Sequence, residues 1–219
     1  MRDIETLLKK PSKKIDPIVK KLLAHGVETR TRPLLFYQIE AGGKRLRPCL
    51  AVLSCLACGG RARDAWYPAA GLEILHTYTL IVDDIIDHSE KRRGKPTTWK
   101  KFGRSFAECA SVDYGASVLE AAVRSRNTAA VAHIFGQTMK EVVDGEILDI
   151  LFEQGGREEE TYAVKNRFRK VTLKDYVDMI GKKSAFLFQA SCELGGLAAK
   201  AAKKEIFSLK KYGWHLGIA

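Results

Sequence analysis

The sequence predicts an all-α fold, a single-domain helical bundle spanning residues 1–219. Apolar residues recur at three and four spacing along nearly the whole chain, β-branched alternating runs are few, and glycine-containing pairs punctuate the pattern. The periodicity places helices near 14–25 and 29–41, the second closed by Gly42-Gly43. A third at 48–58 has Pro48 suited to its first turn and Gly59 at its end. A fourth, 65–88, contains the stretch "LEILHTYTLIV", too apolar for a surface helix. Beyond Arg93-Gly94 follow helices at 96–102, 105–124 and 127–153, then Gly155-Gly156. The remaining helices are expected at 158–168, 173–180, 183–199 and 203–217. No linker, low-complexity tract or internal repeat interrupts the series.

A chain of 219 residues with 46% hydrophobic and 29% charged content can bury a substantial core. It holds no run of eighteen uncharged apolar residues, so no transmembrane segment is expected. "MRDIETLLKKPSKK" lacks the apolar region and cleavage site of a signal peptide, which makes the cytoplasm the expected location. Five cysteines, at 49, 55, 58, 109 and 192, form no regular disulfide framework. Cys55 and Cys58 make a CxxC without a second pair and lie in an apolar helical pattern, which favours packing over zinc binding. The net charge of +11 points to anionic partners: nucleic acid, an acidic membrane surface or phosphorylated small molecules. Much of that charge lies on polar helix faces, including Lys9 and Lys10, and no nucleic-acid-binding motif accompanies it, so no nucleic-acid partner is expected.

Two charged constellations stand out. At the end of the fourth helix Asp83, Asp84 and Asp87 come within a rise of about 6 Å, Asp84 about 100° and Asp87 about 40° from Asp83. Three carboxylates so close repel, and near a helix C-terminus they oppose the macrodipole. A divalent cation reverses the sign of both effects, and carboxylate oxygens are the hard ligands Mg²⁺ prefers. The bland alternative is a solvated acidic face tempered by the basic residues that follow. His76 lies about 20° from Asp83 and about 10 Å up the helix, so it faces the same side. The second constellation is "GGKRLRP", where Lys44, Arg45 and Arg47 crowd the positive end of a helix dipole. Bound anion relieves that crowding, and arginine offers phosphate a bidentate fork. Arg92 and Arg93 form another basic pair beside the aspartates.

"GGKRLRP", "DDIID", "EKRRGKPTTW" and "YVDMIGKKSAF", in this order and spacing, resemble the trans-isoprenyl diphosphate synthases of the short-chain type, from about residue 14 onward. The resemblance implies an all-α bundle acting as a homodimer that joins isopentenyl diphosphate to an allylic diphosphate with Mg²⁺. It implies that Lys44, Arg47, His76 and Arg93 bind isopentenyl diphosphate. Asp83, Asp84 and Asp87 would hold the metal on the allylic diphosphate, with Arg92, Lys183 and Ser184 contacting that diphosphate directly. Tyr78, with Thr79 and Leu75, would form the floor of the pocket that limits product length, suggesting geranylgeranyl diphosphate with farnesyl as the near alternative. On an ideal wheel, however, Tyr78 falls about 140° from Asp83, and Thr79 and Leu75 lie closer to the aspartate face.

Three departures accompany the match. Glu146 stands where many members have glutamine, and Ser184 replaces a common threonine. The family's second aspartate-rich motif would begin where this sequence reaches "YGWHLGIA". The expectation is therefore a synthase domain truncated before that motif, poorly active or inactive alone, or a non-catalytic partner subunit of a complete synthase. A class I terpene cyclase shares the aspartate motif but does not need the basic "GGKRLRP" cradle and would not incorporate labelled isopentenyl diphosphate.

Overall fold

The computed structural model describes residues 4–219, with side chains from Pro11 onward. Met1 to Asp3 of the opening stretch weighed for a signal peptide, and the side chains of Lys9 and Lys10, lie outside the described residues. The described chain is helical almost throughout, as the periodicity predicts. Helix α1 (Ile4–Ala24) begins well before residue 14 and contains Pro11 and Pro17. Tertiary packing overrides the prolines, because Ile15, Val19, Leu22 and Leu23 are all but fully buried. A short 3₁₀ turn leads into α2 (Arg32–Glu40), whose Pro33 occupies its first turn. Helix α3 (Leu46–Ala57) follows the Gly42-Gly43 turn, and another 3₁₀ turn leads into α4 (Trp66–Ile86).

The expected helices at 65–88 and 96–102 hide a correction. The chain leaves α4 at Ile86, and Lys91–Arg92 (β1) pairs antiparallel with Lys95–Pro96 (β2) before α5 (Thr98–Phe102). Arg93 and Gly94, with φ of 53° and 76°, make the two-residue turn. Thr97 Oγ1 and Trp99 Nε1 both donate to the carbonyl of Ser89, at 2.8 Å each, and pin the hairpin to the end of α4.

Then come α6 (Arg104–Val123) and α7 (Thr128–Phe152), close to their expected limits. Helix α8 is confined to Thr161–Asn166, shorter than 158–168, because the backbone leaves the helical conformation at both ends, with ψ of 78° at Glu160 and 139° at Arg167. Helices α9 (Leu173–Ile180) and α10 (Phe186–Ala198) are one continuous rod joined by a π turn at Gly181–Ala185. Helix α11 (Lys203–Ile218) packs back along α10.

Helix α4 is the axis: α6, α1, α3, α10 and α7 all pack on it, and its Leu72, Ile74 and Leu75 are fully buried. Cys55 sits in this core and Cys58 is half-buried beside it, both free, in keeping with a packing role. Among the described residues no helix is long and apolar enough to cross a membrane.

Candidate active site

Two cavities meet at the middle of α4. The first, about 240 Å³, lies between α4, α7 and α10, with apolar walls from Val82, Ile86, Val142, Ile147 and Leu187. Its mouth carries Asp83, Glu146, Lys183 and Ser184. The second is a basic cleft lined by Gly43, Lys44, Arg45, Arg47, Glu73 and Arg93. Arg47 and His76 line both, so this pair is the shared wall.

The wall presents unpartnered donors. Arg47 Nη1 donates to His76 Nε2 at 3.0 Å, and the guanidinium stacks over the Phe188 ring at 4.6 Å. Burial, with Arg47 and Arg93 adding to it, holds His76 well below its ordinary pKa, so the ring is neutral. Guanidinium nitrogens only donate, so Nε2 must accept and the proton sits on Nδ1. That Nδ1–H and Arg47 Nε are both buried without a protein partner. Burial lowers Arg47 to about 10, with Glu73 opposing, which leaves it charged at neutral pH.

Arg45 corrects the sequence reading of a three-cation cradle. At a φ of 50° it turns inward, donating from Nε to Asp16 of α1 at 2.8 Å, from Nη1 to Glu73 of α4 at 3.0 Å and from Nη2 to the Ile39 carbonyl at 2.8 Å. It is 8% exposed and serves the fold, while Lys44 stays exposed at the cleft. Gly43 makes room for this arrangement: a Cβ there would lie 2.9 Å from Nη1 of both Arg45 and Arg93.

On the acidic side the three aspartates part company. Asp83 faces the apolar cavity, Asp84 is 1% exposed, and Asp87 lies just past the helix end and is exposed. Arg92, from the hairpin, donates from Nη2 to Asp83 at 3.0 Å and from Nε to Asp84 at 2.8 Å. Neighbours in the hairpin thus diverge, Arg92 to the acidic side and Arg93 to the basic cleft. Burial first, then neighbouring carboxylates, push Asp84 and Asp87 above the usual range, although Arg92 opposes this at Asp84. Among the described residues no three carboxylate, histidine or cysteine side chains converge as a ready metal cage. The donor set nevertheless suits a hard divalent cation: acidic oxygens under mutual strain, with Asp84 Oδ2 buried and unpaired.

Lys183, placed by the π turn, is the centre of this side. Its ammonium contacts Asp149 at 2.6 Å, Glu146 at 2.7 Å and Asp83 at 3.3 Å, tying α4 and α7 to α10. Burial works against its charge, but the bonds to Asp149 and Glu146 outweigh burial and its pKa ends raised. Gly145 permits the approach, since a Cβ there would come within 2.5 Å of the Lys183 backbone nitrogen. π turns are uncommon and concentrate at functional sites.

Sequence reasoning missed Arg157. Its guanidinium pairs with Glu153 at 2.8 Å and Glu160 at 3.2 Å, lies 3.6 Å from Asp87, and donates to the Ile86 carbonyl at 3.2 Å, latching the end of α4 to α7. Of the proposed floor, Tyr78 and Thr79 line the apolar cavity, whereas Leu75 does not. Leu75 turns into the core with no exposure, so the helical wheel misplaces it.

A family model described as polyprenyl synthetase matches residues 28–219. The chain belongs to this family. It is 31% identical over 222 residues to the short chain isoprenyl diphosphate synthase of Methanothermobacter thermautotrophicus, covering all of this chain and 64% of that protein. It is 37% identical over 190 residues to the geranylgeranyl diphosphate synthase of Saccharolobus solfataricus, covering 84% and 53% respectively. The crystal structure of the geranylgeranyl pyrophosphate synthetase from Pyrococcus horikoshii superposes with a TM-score of 0.86 at 30% identity, covering 98% of this chain and 64% of that one. A polyprenyl synthase from Caulobacter crescentus, solved with calcium and isoprenyl diphosphate, superposes at 0.84 with 25% identity. The chain thus spans between about half and just under two thirds of the length of these two curated relatives.

Proposed function

We propose that this chain carries the substrate cavities of a trans-prenyltransferase that condenses isopentenyl diphosphate with an allylic diphosphate to make geranylgeranyl, or alternatively farnesyl, diphosphate. The carrying observation is the shared wall: a basic cleft with two unpartnered buried donors opens, across Arg47 and His76, beside an apolar cavity with an acidic mouth. A two-diphosphate reaction needs both, and a one-diphosphate cyclase has no use for the cleft.

In this reading Lys44, Arg47 and Arg93 grip the isopentenyl diphosphate, and His76 Nδ1 donates to one of its oxygens. The allylic chain lies along the apolar walls toward Tyr78 and Thr79, and its diphosphate meets Arg92, Lys183 and Ser184. Asp83, Asp84 and Asp87 would hold Mg²⁺, which neutralises the diphosphate as negative charge develops on it. The allylic C–O bond breaks and the diphosphate leaves with the electron pair. The isopentenyl double bond attacks the cation, and the released diphosphate takes the proton lost from the adduct. Preorganised cations on the leaving group and dry walls around the carbocation are this chain's contribution. An exposed apolar side of α6, with Val112, Leu119 and Val123, suits a second copy, and the reading takes the working form as a cytoplasmic homodimer.

The test is incorporation of labelled isopentenyl diphosphate into organic-extractable product with a geranyl or farnesyl diphosphate acceptor. Incorporation that is lost in Arg47→Ala supports the synthase. Arg47-dependent binding without incorporation indicates a partner subunit of a complete synthase, and neither binding nor incorporation sinks the assignment. If Tyr78 is the floor, Tyr78→Ala lengthens the product.

A further inference from the structure

Two exposed apolar surfaces of the molecule differ in charge. Along α6 the stripe of Val112, Leu119 and Val123 runs beside cations that already hold acids of the same helix, Arg104 with Glu108 and Arg124 with Glu120. Such a neutral, straight seam suits a second copy. In the strap from α8 to the start of α9, by contrast, Tyr162 is 72% and Leu173 78% exposed, and Val164, Phe168 and Tyr176 are exposed with them. Through it runs "KNRFRK", residues 165–170, with four cations and no acid. Lys165, Arg169 and Lys170 are exposed and have no acidic partner among the described residues, while Arg167 donates to the carbonyl of Gly156. Aromatic rings interleaved with unpaired lysine and arginine match an anionic lipid surface: the rings settle at headgroup level and the cations meet lipid phosphates. We propose that the 162–176 strap docks this protein on an anionic membrane surface, with the mouth of the apolar cavity beside the lipid.

The middle of the strap is tied to the end of α7. The Phe168 amide donates to the Leu151 carbonyl at 3.0 Å, its ring meets that of Phe152 edge-on at 4.9 Å, and Gln154 Nε2 donates to the Phe168 carbonyl at 3.1 Å. The patch therefore has its shape before any surface binds, which keeps the ordering cost low. Arg169, Lys170 and Tyr176 wall an open cleft of about 530 Å³ together with Asp149 and Phe152, and Asp149 also holds Lys183 of the cavity mouth at 2.6 Å. Patch and mouth thus share a wall. The acids of the same segment, Glu158 to Glu160, stand at its other end around the cavity lined by Arg104 and Arg157, where Glu160 pairs with Arg157. The 165–170 run is left uncompensated. The surface itself does not depend on the reaction; that its neighbour admits an allylic diphosphate rests on the proposed function. A diphosphate with a long apolar tail concentrates at a bilayer, so docking here shortens its path between lipid and cavity.

The experiment is sedimentation of the full chain with sucrose-loaded vesicles of phosphatidylcholine, alone or with about 30% phosphatidylglycerol. The chain should sediment with the anionic vesicles, be released as salt is raised, and stay in solution with the neutral ones. Arg169→Gln with Lys170→Gln should lower the partition coefficient by about tenfold or more, and Tyr162→Ser with Tyr176→Ser by about threefold or more. Lys203→Gln with Lys204→Gln removes the same charge from exposed positions on α11 and should leave binding within about twofold of the parent. Failure to bind anionic vesicles, equal binding to neutral ones, or an equal loss in the α11 control overturns the proposal. A dimer in light scattering that dissociates when Arg169 and Lys170 are replaced assigns the strap to a second copy and overturns it too. So does tighter strap-dependent binding to a single-stranded RNA oligomer than to the vesicles. Circular dichroism checks the fold of each variant; should the double tyrosine variant unfold, Tyr162→Ser alone carries the apolar arm. Incorporation of labelled isopentenyl diphosphate is read without vesicles, so loss of docking and loss of the prenyltransferase reading are separate results.

Discussion

The basic and acidic halves of the site solve opposite electrostatic problems. In the basic cleft the cation that could have spoiled the geometry, Arg45, is turned inside and held by Glu73 and Asp16, while Arg47 and His76 keep unpaired donors. In the acidic half nearly every charge has a protein partner: Arg92 for Asp83 and Asp84, Lys183 for Asp83, Glu146 and Asp149, Arg157 for Asp87. One side keeps buried donors free; the other is closed on itself, so that a ligand binding there would have to displace internal partners. Preorganisation lowers the ordering cost of binding, whereas internal pairing protects an otherwise repulsive cluster when nothing is bound.

That contrast can be broken most forcefully at Arg45. Arg45→Met leaves Glu73, 4% exposed, without its cation, and should destabilise the protein by about 3–5 kcal/mol in denaturant unfolding. A loss below about 1 kcal/mol would mean that the pair does not hold the cleft open. Next in size, Arg47→Ala should weaken metal-free diphosphate binding by about tenfold to a hundredfold in calorimetry, because a charge-assisted contact is lost. Unchanged affinity would remove the cleft's claim to be the preorganised half. On the acidic side, magnesium with a bisphosphonate should raise the melting temperature by about 5–10 °C, and either alone by far less. Asp83→Asn combined with Asp87→Asn should abolish the joint shift while the protein stays folded; an intact shift in that variant would reduce the aspartates to a solvated face.

The smallest effect concerns His76 and pH. Burial, then Arg47 and Arg93, hold its folded pKa below the unfolded value of about 6.5. The unfolded chain therefore takes up a proton that the folded one refuses. Stability is unaffected above about pH 6.5 and falls below it, by about 1 kcal/mol at pH 5.5. His76→Gln should remove that increment of acid sensitivity. Parallel stability profiles for parent and variant would show that the ring binds its proton equally well folded and unfolded, and would overturn the effect of burial on it.

The fold was legible because its cause is repeated: apolar spacing in every long helix records which face is buried. The site was legible as composition and not as geometry. A run such as "GGKRLRP" says that cations are present, but only a buried acid on a distant helix decides which of them turns inward. Glu73, set in the apolar phrase "GLEILH", was the available signal, since a carboxylate there demands a partner. The hairpin carrying Arg92 was invisible because strands of two residues have no period to detect, although Arg93-Gly94 marked the turn. Leu75 went astray because an ideal wheel gives directions about an axis and knows nothing of which neighbour fills them. Arg157 had no signal at all: its left-handed backbone and its reach to Asp87 depend on how α7 ends beside α4.

The π turn in the α9–α10 rod acts as a phase shift. Hydrogen bonds there span one residue more than in an α-helix, so the two halves of the rod are offset by about 100° from an uninterrupted helix. Substitutions along the rod leave that phase untouched, whereas removal of one residue, Lys182 for instance, would let ordinary pairing resume. Residues 173–181 would then swing by about 100° relative to α10, carrying Gly181 away from Trp214, against whose ring it now packs so closely that a Cβ would come within 2.5 Å. The length of this segment is therefore constrained more tightly than its letters, and drift in this part of the chain should proceed by exchange of residues and almost never by gaps.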